Sequence, residues 1–223
     1  MQVEALIFDM DGTMVDSMPT HAQSWIEFTQ VHQLDIPIDE VMRRTTGRNA
    51  VECMRDLFGQ PDMDTVECLR LVAHKERVYR DLFGPVFTEV AGFTQFEARA
   101  RARGLKVGVG TAGDRHNIAF VLSKLRLAQA PHAIVGGDEG LPGKPEPAIF
   151  LEAARRMDKD ACDCIVFEDS PFGIESARRA GMRAVAICST HAPTQLAGPH
   201  VLAAVRDYNE LLNSAFLENL NVA

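Results

Sequence analysis

The stretch Ala5-Leu6-Ile7-Phe8-Asp9-Met10-Asp11-Gly12-Thr13 runs four apolar side chains straight into two carboxylates spaced two apart, followed by a glycine. A short apolar run bounded by turn residues is a buried strand when the pattern recurs along the chain. It does recur. Residues 3–8 end at Asp9, 106–110 end at Thr111, 133–135 end near Asp138, 164–167 end at Glu168 and Asp169, and 184–187 make a fifth run. Helical stretches lie between them. Asp114 is placed to cap a helix carrying Ile118, Val121, Leu122 and Leu125 on one face. Pro147 suits the first turn of a helix carrying Ile149, Phe150, Ala153 and Met157. Ser170-Pro171 reads as an N-cap with proline at the first helical position, and Gly181 as the stop. Short strands alternating with helices predict an α/β fold, a Rossmann-like doubly wound parallel sheet whose ligands bind beyond the carboxyl ends of its strands.

One segment departs from this rhythm. From Asp16 to Phe83 the sequence has helical periodicity without a strand-like run. Trp25, Ile26 and Phe28, then Val41 and Met42, then Val51, Met54, Leu57 and Phe58, then Leu69, Val72 and Val78 mark about four helices. The expected organisation is a core of residues 1–15 and 84–223, with a helical cap of residues 16–83 inserted after the first strand.

Composition narrows the function. The 223 residues are 46% hydrophobic and 24% charged, enough apolar content for a sizeable core. Lys and Arg total 23 against 31 Asp and Glu, a net charge of -8, which disfavours nucleic acid and anionic membranes as partners. Cys53, Cys68, Cys162, Cys164 and Cys188 are odd in number and scattered, as expected of free thiols in a reducing compartment. With no secretory signal and no long apolar span, the expectation is a cytoplasmic protein.

The chemistry rests on the carboxylate pair. At the mouth of a parallel sheet both Asp9 and Asp11 can reach one ligand, and Gly12 permits a tight exit. Two close carboxylates repel unless a cation or proton intervenes. With a hard cation, Asp9 can serve as metal ligand and nucleophile while Asp11 moves protons. A strand ending in a solvated acidic turn is the bland alternative for the DxD pair alone. Thr111 alone would be a turn residue, Lys144 a loop charge, and Glu168-Asp169 a helix cap.

Taken together, these residues resemble the haloacid dehalogenase-like superfamily. FDMDGT resembles its first motif, Thr111 its second, Lys144 in GKPEPAIF its third, and Glu168-Asp169 in VFEDSPFGIESARRAGM its acidic fourth. The resemblance covers essentially the whole chain. It implies phosphoryl transfer with Asp9 as nucleophile and Asp11 as general acid and base. It implies Mg²⁺ held by Asp9, the Asp11 carbonyl and Asp169, with Glu168 close by. Thr111 would bind a phosphoryl oxygen and Lys144 would balance charge.

The helical insert resembles the cap of the β-phosphoglucomutase-like branch. That likeness adds His21, Gly47, Arg48 and Asn49 as substrate-side candidates, beside Gly12, Ala112 and Gly113 next to the core motifs. Trp25 shares a helix face with His21, and the other histidines (His32, His74, His116, His132, His191 and His200) read as structural. The mutases carry a lysine just before the cap glycine and an arginine shortly after it. This chain has Thr46 and Ala50 there, leaving Arg48 or Arg43 as replacement cations.

The resemblance therefore favours a phosphatase for a small phosphorylated sugar or related metabolite over a β-phosphoglucomutase. Asp11 argues against a dehalogenase, because halide displacement needs no acid for a leaving alkoxide. The cap lacks the lysine expected of a phosphonatase. Retention of all the motif residues argues against a non-catalytic binding module.

Overall fold

A computed structural model describes residues 2–45 and 48–221. The chain begins with β1 (Ala5–Phe8) and then runs through α1 (Met18–Val31), α2 (Ile38–Thr45), α3 (Ala50–Leu57) and α4 (Thr65–Phe83). It continues with α5 (Phe93–Ala102), β2 (Lys106–Gly110), α6 (Arg115–Lys124), β3 (Ala133–Val135) and α7 (Ala148–Arg156). It closes with β4 (Cys164–Glu168), α8 (Pro171–Arg179), β5 (Arg183–Ile187), β6 (Val201–Val205) and α9 (Tyr208–Asn213).

The six strands form one parallel sheet in the order β3-β2-β1-β4-β5-β6. The chain builds outward from β1 to β3, then returns to place β4 against the other side of β1. That reversal opens a crevice at the carboxyl ends of β1 and β4, the place where open α/β sheets bind ligands.

β1 is fully buried and serves two cores. Leu6 and Phe8 face a cluster with Phe93, Phe96, Phe167 and Tyr208, while Ala5 and Ile7 face one with Ile149, Phe150 and Val166. The period-two alternation of a strand sends successive side chains to opposite faces. The Phe8 ring stacks on Phe167 at 4.6 Å and meets Phe93 edge-on at 5.3 Å. Truncating such a ring costs about 3–5 kcal/mol, so the strand end carrying Asp9 is firmly anchored.

Helices α1 to α4 enclose a separate apolar cluster of Trp25, Phe28, Val41, Met54, Leu57, Cys68, Leu71 and Val72. Tyr79 and Phe83, at the end of α4, belong instead to the cluster on the sheet. The helical layer is thus a small body of its own, rooted in the main core through α4. Asn49 and Asp64 cap α3 and α4, each accepting two backbone N–H bonds. The caps expected at Asp114 and Ser170 are present, and Gly181 follows α8 with a left-handed φ of 72°.

The expected runs appear as β1 to β5, with β1 starting at Ala5 rather than at residue 3 and β4 and β5 each one residue longer than the sequence pattern indicated. All five cysteines are free, and among the described residues no helix is long and apolar enough to cross a membrane.

Candidate active site

The floor of the crevice is made by strand ends. Register pairs Phe8 with both Val109 and Phe167, so the residues after β1, β2 and β4 emerge side by side. The Asp9 N–H donates to the Phe167 carbonyl at 3.0 Å, and the Thr111 N–H donates to that of Val135 at 3.0 Å. Asp9, Thr111, Lys144, Glu168 and Asp169 are all buried. The Lys144 ammonium donates to Asp9 Oδ1 at 2.5 Å and to Glu168 Oε1 at 2.6 Å. Glu168 Oε2 accepts from the Ser170 N–H at 2.7 Å and its hydroxyl at 3.0 Å, and that hydroxyl also caps α8. Thr190 donates to Asp169 Oδ2 at 2.5 Å.

Two glycines make this density possible. A Cβ at Gly12, whose φ is 78°, would collide with the Asp169 carboxylate, and one at Gly173 would collide with Glu168. Gly12 therefore shapes the floor from below, and its carbonyl accepts from the Ser189 hydroxyl at 2.5 Å.

Charge on the floor is out of balance. Asp9, Glu168 and Asp169 each bring an oxygen within 4.8 Å of the others, against the one lysine. Burial pushes the Asp9 carboxyl up to about 7, although Lys144 opposes this, and the Glu168 charge adds to the rise. Burial and the Glu168 charge likewise hold Asp169 well above the usual carboxylate range. Lys144 is held above its ordinary range because the two carboxylates outweigh its own burial. An oxygen-only cluster with surplus negative charge fits a hard divalent cation.

The roof comes from the helical layer. Asp11 Oδ1 accepts from the Ser17 hydroxyl at 2.7 Å and the Tyr79 hydroxyl at 3.1 Å, with His21 Nε2 at 3.2 Å. Lys75 Nζ lies 2.7 Å from His21 Nδ1. An ammonium can only donate, so whenever the imidazole is neutral its proton sits on Nε2, facing Asp11. Lys75 also pairs with Glu76 at 3.0 Å, and the Asn117 amide donates to the other Glu76 oxygen at 2.6 Å. Arg80 donates to the Asn117 carbonyl oxygen at 2.7 Å. The imidazole stacks on Tyr79 with centroids 3.8 Å apart. Burial alone would raise the Asp11 carboxyl. The charge of a protonated His21 and its hydrogen bond, the Ser17 hydrogen bond and the Lys75 charge outweigh burial and hold it at about 2.

Floor and roof enclose a cavity of about 500 Å³ that brings together Asp9, Asp11, His21, Arg48, Asn49, Thr111, Ala112, Gly113, Lys144, Glu168 and Asp169. Gly47 and Thr46 lie outside the described residues. Thr111 Oγ1 accepts from the Gly113 N–H at 3.0 Å, tightening the turn after β2. Arg48 donates to the Arg44 carbonyl at 2.9 Å and pairs with Asp56 at 3.4 Å, while Arg43 is held by Glu40 at 2.6 Å.

Lys75, Glu76, Tyr79 and Asn117 escaped the sequence reading. A signal was present for Lys75: in α4 it falls on the buried stripe Cys68, Leu71, Val72, Tyr79 and Phe83, where a charge demands a partner. Of the histidines read as structural, His116 lines the cavity, and His191 Nδ1 lies 3.0 Å from the Asp169 carbonyl.

Comparison with known proteins agrees with this geometry. A family model described as haloacid dehalogenase-like hydrolase matches residues 3–181. The chain is 31% identical over 192 residues to a β-phosphoglucomutase of Bacillus subtilis, covering 83% of each. It is 32% identical over 184 residues to a fructose-1-phosphate phosphatase of Escherichia coli, covering 81% of this chain and 94% of the relative. The crystal structure of a hydrolase from Pseudomonas syringae superposes with a TM-score of 0.83 at 23% identity, over 97% of this chain and 99% of that one. A matched family model spanning most of the chain, over a site whose motif residues meet at adjacent strand ends, leads to one conclusion: the chain belongs to the haloacid dehalogenase-like hydrolases.

Proposed function

We propose that this hydrolase is a Mg²⁺-dependent phosphatase that cleaves small phosphorylated sugars or related metabolites through a phosphorylated Asp9. The observation that carries the reading is the buried floor, in which Asp9 is fixed by Lys144 between Glu168 and Asp169 while Asp11 stands two residues away. Phosphoryl transfer needs in-line placement and charge neutralisation more than covalent novelty.

Asp9 attacks phosphorus through a carboxylate oxygen while the ester oxygen departs. Lys144 neutralises the nucleophile's charge, and the Thr111 hydroxyl and the Ala112 N–H would receive phosphoryl oxygens, while the Gly113 N–H holds Thr111 Oγ1 in position. Asp9, Asp169 and Glu168 are the side chains that would hold Mg²⁺, which supplies charge neutralisation of the transferring group.

Asp11 has the proton-transfer role. Its Oδ1 is occupied by three donors, whereas Oδ2 lies 3.7 Å from where a Gly113 Cβ would stand, on the phosphate side. Held at about 2, Asp11 is ionised at neutral pH and suited to deprotonating the water that hydrolyses the phosphoenzyme. Protonating the ester oxygen in the first step requires the roof contacts to loosen.

The relative named as a β-phosphoglucomutase supports a second reading, transfer to another sugar hydroxyl. Arg43 and Arg48 weigh against it, because each is already matched by a cap carboxylate. Incubation with Mg²⁺ and either fructose 1-phosphate or β-glucose 1-phosphate, the latter with a trace of the bisphosphate, separates the two. Free phosphate without glucose 6-phosphate supports the phosphatase; glucose 6-phosphate without free phosphate establishes the mutase.

A further inference from the structure

The cavity changes character with distance from Asp11. Along α1 the lining passes from His21 to Trp25, and along α4 from Glu76 and Lys75 to Val72 and Leu69. At 1.5 Å of rise per residue, Trp25 stands about 6 Å beyond His21, and Leu69 stands about 15 Å along α4 from Tyr79. Met54 of α3 completes the far wall. Trp25, Met54 and Val72 are members of the helical layer's own apolar core, so the cavity opens directly onto that core. Leu69 is 52% exposed, so its side chain is open to whatever occupies this end of the cavity.

The charges at this end are already matched. Of the cap arginines here, Arg48 is paired with Asp56 and donates to the Arg44 carbonyl, and Arg44 is paired with Glu40 at 2.6 Å. A second phosphate placed here would meet hydrocarbon and cations whose charge is spent, at a desolvation cost that nothing repays.

We propose that the substrate carries a single phosphate and an amphipathic leaving group. The leaving group is polar next to the ester oxygen, where His21, Glu76 and Asn117 stand. It is apolar from about 6 Å outward, where Trp25, Met54, Leu69 and Val72 form the wall. This rests on the phosphatase reading and narrows it.

Methyl, butyl and octyl phosphate test the proposal, since these primary alcohols are leaving groups of nearly equal acidity. Phosphate release with Mg²⁺ gives kcat/KM for each. Each methylene reaching the wall should raise kcat/KM up to about fourfold, the equivalent of the transfer free energy of one buried methylene, so octyl should exceed butyl by roughly tenfold or more. Octane-1,8-diyl bisphosphate should lose most of that gain. Leu69→Lys, at an exposed position that does not endanger folding, should cut the octyl-to-butyl ratio by at least about threefold.

Equal kcat/KM across the series, a bisphosphate that outperforms octyl phosphate, or a ratio unmoved by Leu69→Lys would each overturn the apolar subsite while leaving the phosphatase intact. Failure to hydrolyse even methyl phosphate, with fructose 1-phosphate also inert, would remove the phosphatase reading and this inference with it.

Discussion

Floor and roof of the cavity are held in different ways. Asp9, Thr111, Glu168 and Asp169 leave adjacent strands whose ladder fixes their spacing, and Lys144 locks two of them directly. His21, Lys75 and Glu76 stand on helices of a separate layer, where His21 and Glu76 reach across to Asp11 and Asn117, and Tyr79 and Arg80 add contacts to the same two residues near the rooted end of α4. The floor can therefore keep its geometry whatever the helices do. The roof can lose the His21–Asp11 and Glu76–Asn117 contacts together in one movement of α1 and α4. This division suits a reaction in which Asp11 must be an acid in one step and a base in the next, because only the group under the roof needs two protonation states.

The largest effect is expected at the floor. Asp9→Asn removes the nucleophile while nearly preserving shape, so phosphate release should fall to background with the far-ultraviolet circular dichroism unchanged. Substantial Mg²⁺-dependent turnover in that variant would dissolve the distinction between the regions. Asp11→Ala, at the junction of floor and roof, should lower kcat by roughly two to four orders of magnitude. That loss should shrink with a leaving group acidic enough to depart unprotonated, and an equal loss with both kinds of ester would contradict the acid role.

The roof should respond more mildly. Lys75→Met strips His21 of its partner, and a hydrogen bond to a charged group is worth about 1.5–3 kcal/mol, so a loss of at least about tenfold in kcat/KM is expected. The pH profile is the more specific readout. Without Lys75 and the ordered imidazole, Asp11 rises from about 2 toward its ordinary value. The acid limb of kcat/KM should shift upward; a limb that stays in place would reduce Lys75 to a packing role.

The smallest effect is in stability. Asp9 is raised in the fold from 3.8 to about 7. Its contribution is therefore fully present below its unfolded pKa and is lost as pH rises through about 7, where the buried carboxylate must ionise. In chelator the melting temperature should fall across that window, and the increment produced by Mg²⁺ should be larger at the alkaline side than at the acid side. Thermal melts with and without Mg²⁺ check this; an increment independent of pH would place the metal away from Asp9.

The floor was legible because strand ends announce themselves. Apolar runs terminate in Asp9, Thr111 and Glu168-Asp169, and parallel crossovers bring consecutive ends to one edge. β6 was missed because Val201–Val205 is an edge strand of alternating exposure and alanine-rich sequence, which leaves little hydrophobic signal. The short α9 was also missed; it buries only Tyr208 and Leu211. The roof was largely illegible, since Asn117 meets Glu76 across 41 residues and two different layers, and periodicity reports faces rather than partners. Arg48 shows the same limit. Its sequence position suggested a free cation, and only the fold supplied Asp56.

The covalent step at Asp9 carries the proposed reaction. Its direct test is to mix the enzyme with Mg²⁺ and excess substrate, quench in acid within a turnover, and digest for mass spectrometry. The prediction is one phosphoryl group on the peptide containing Asp9, present during turnover and absent in Asp9→Asn. Full turnover with Asp9 never modified, or with the label on another residue, would contradict it.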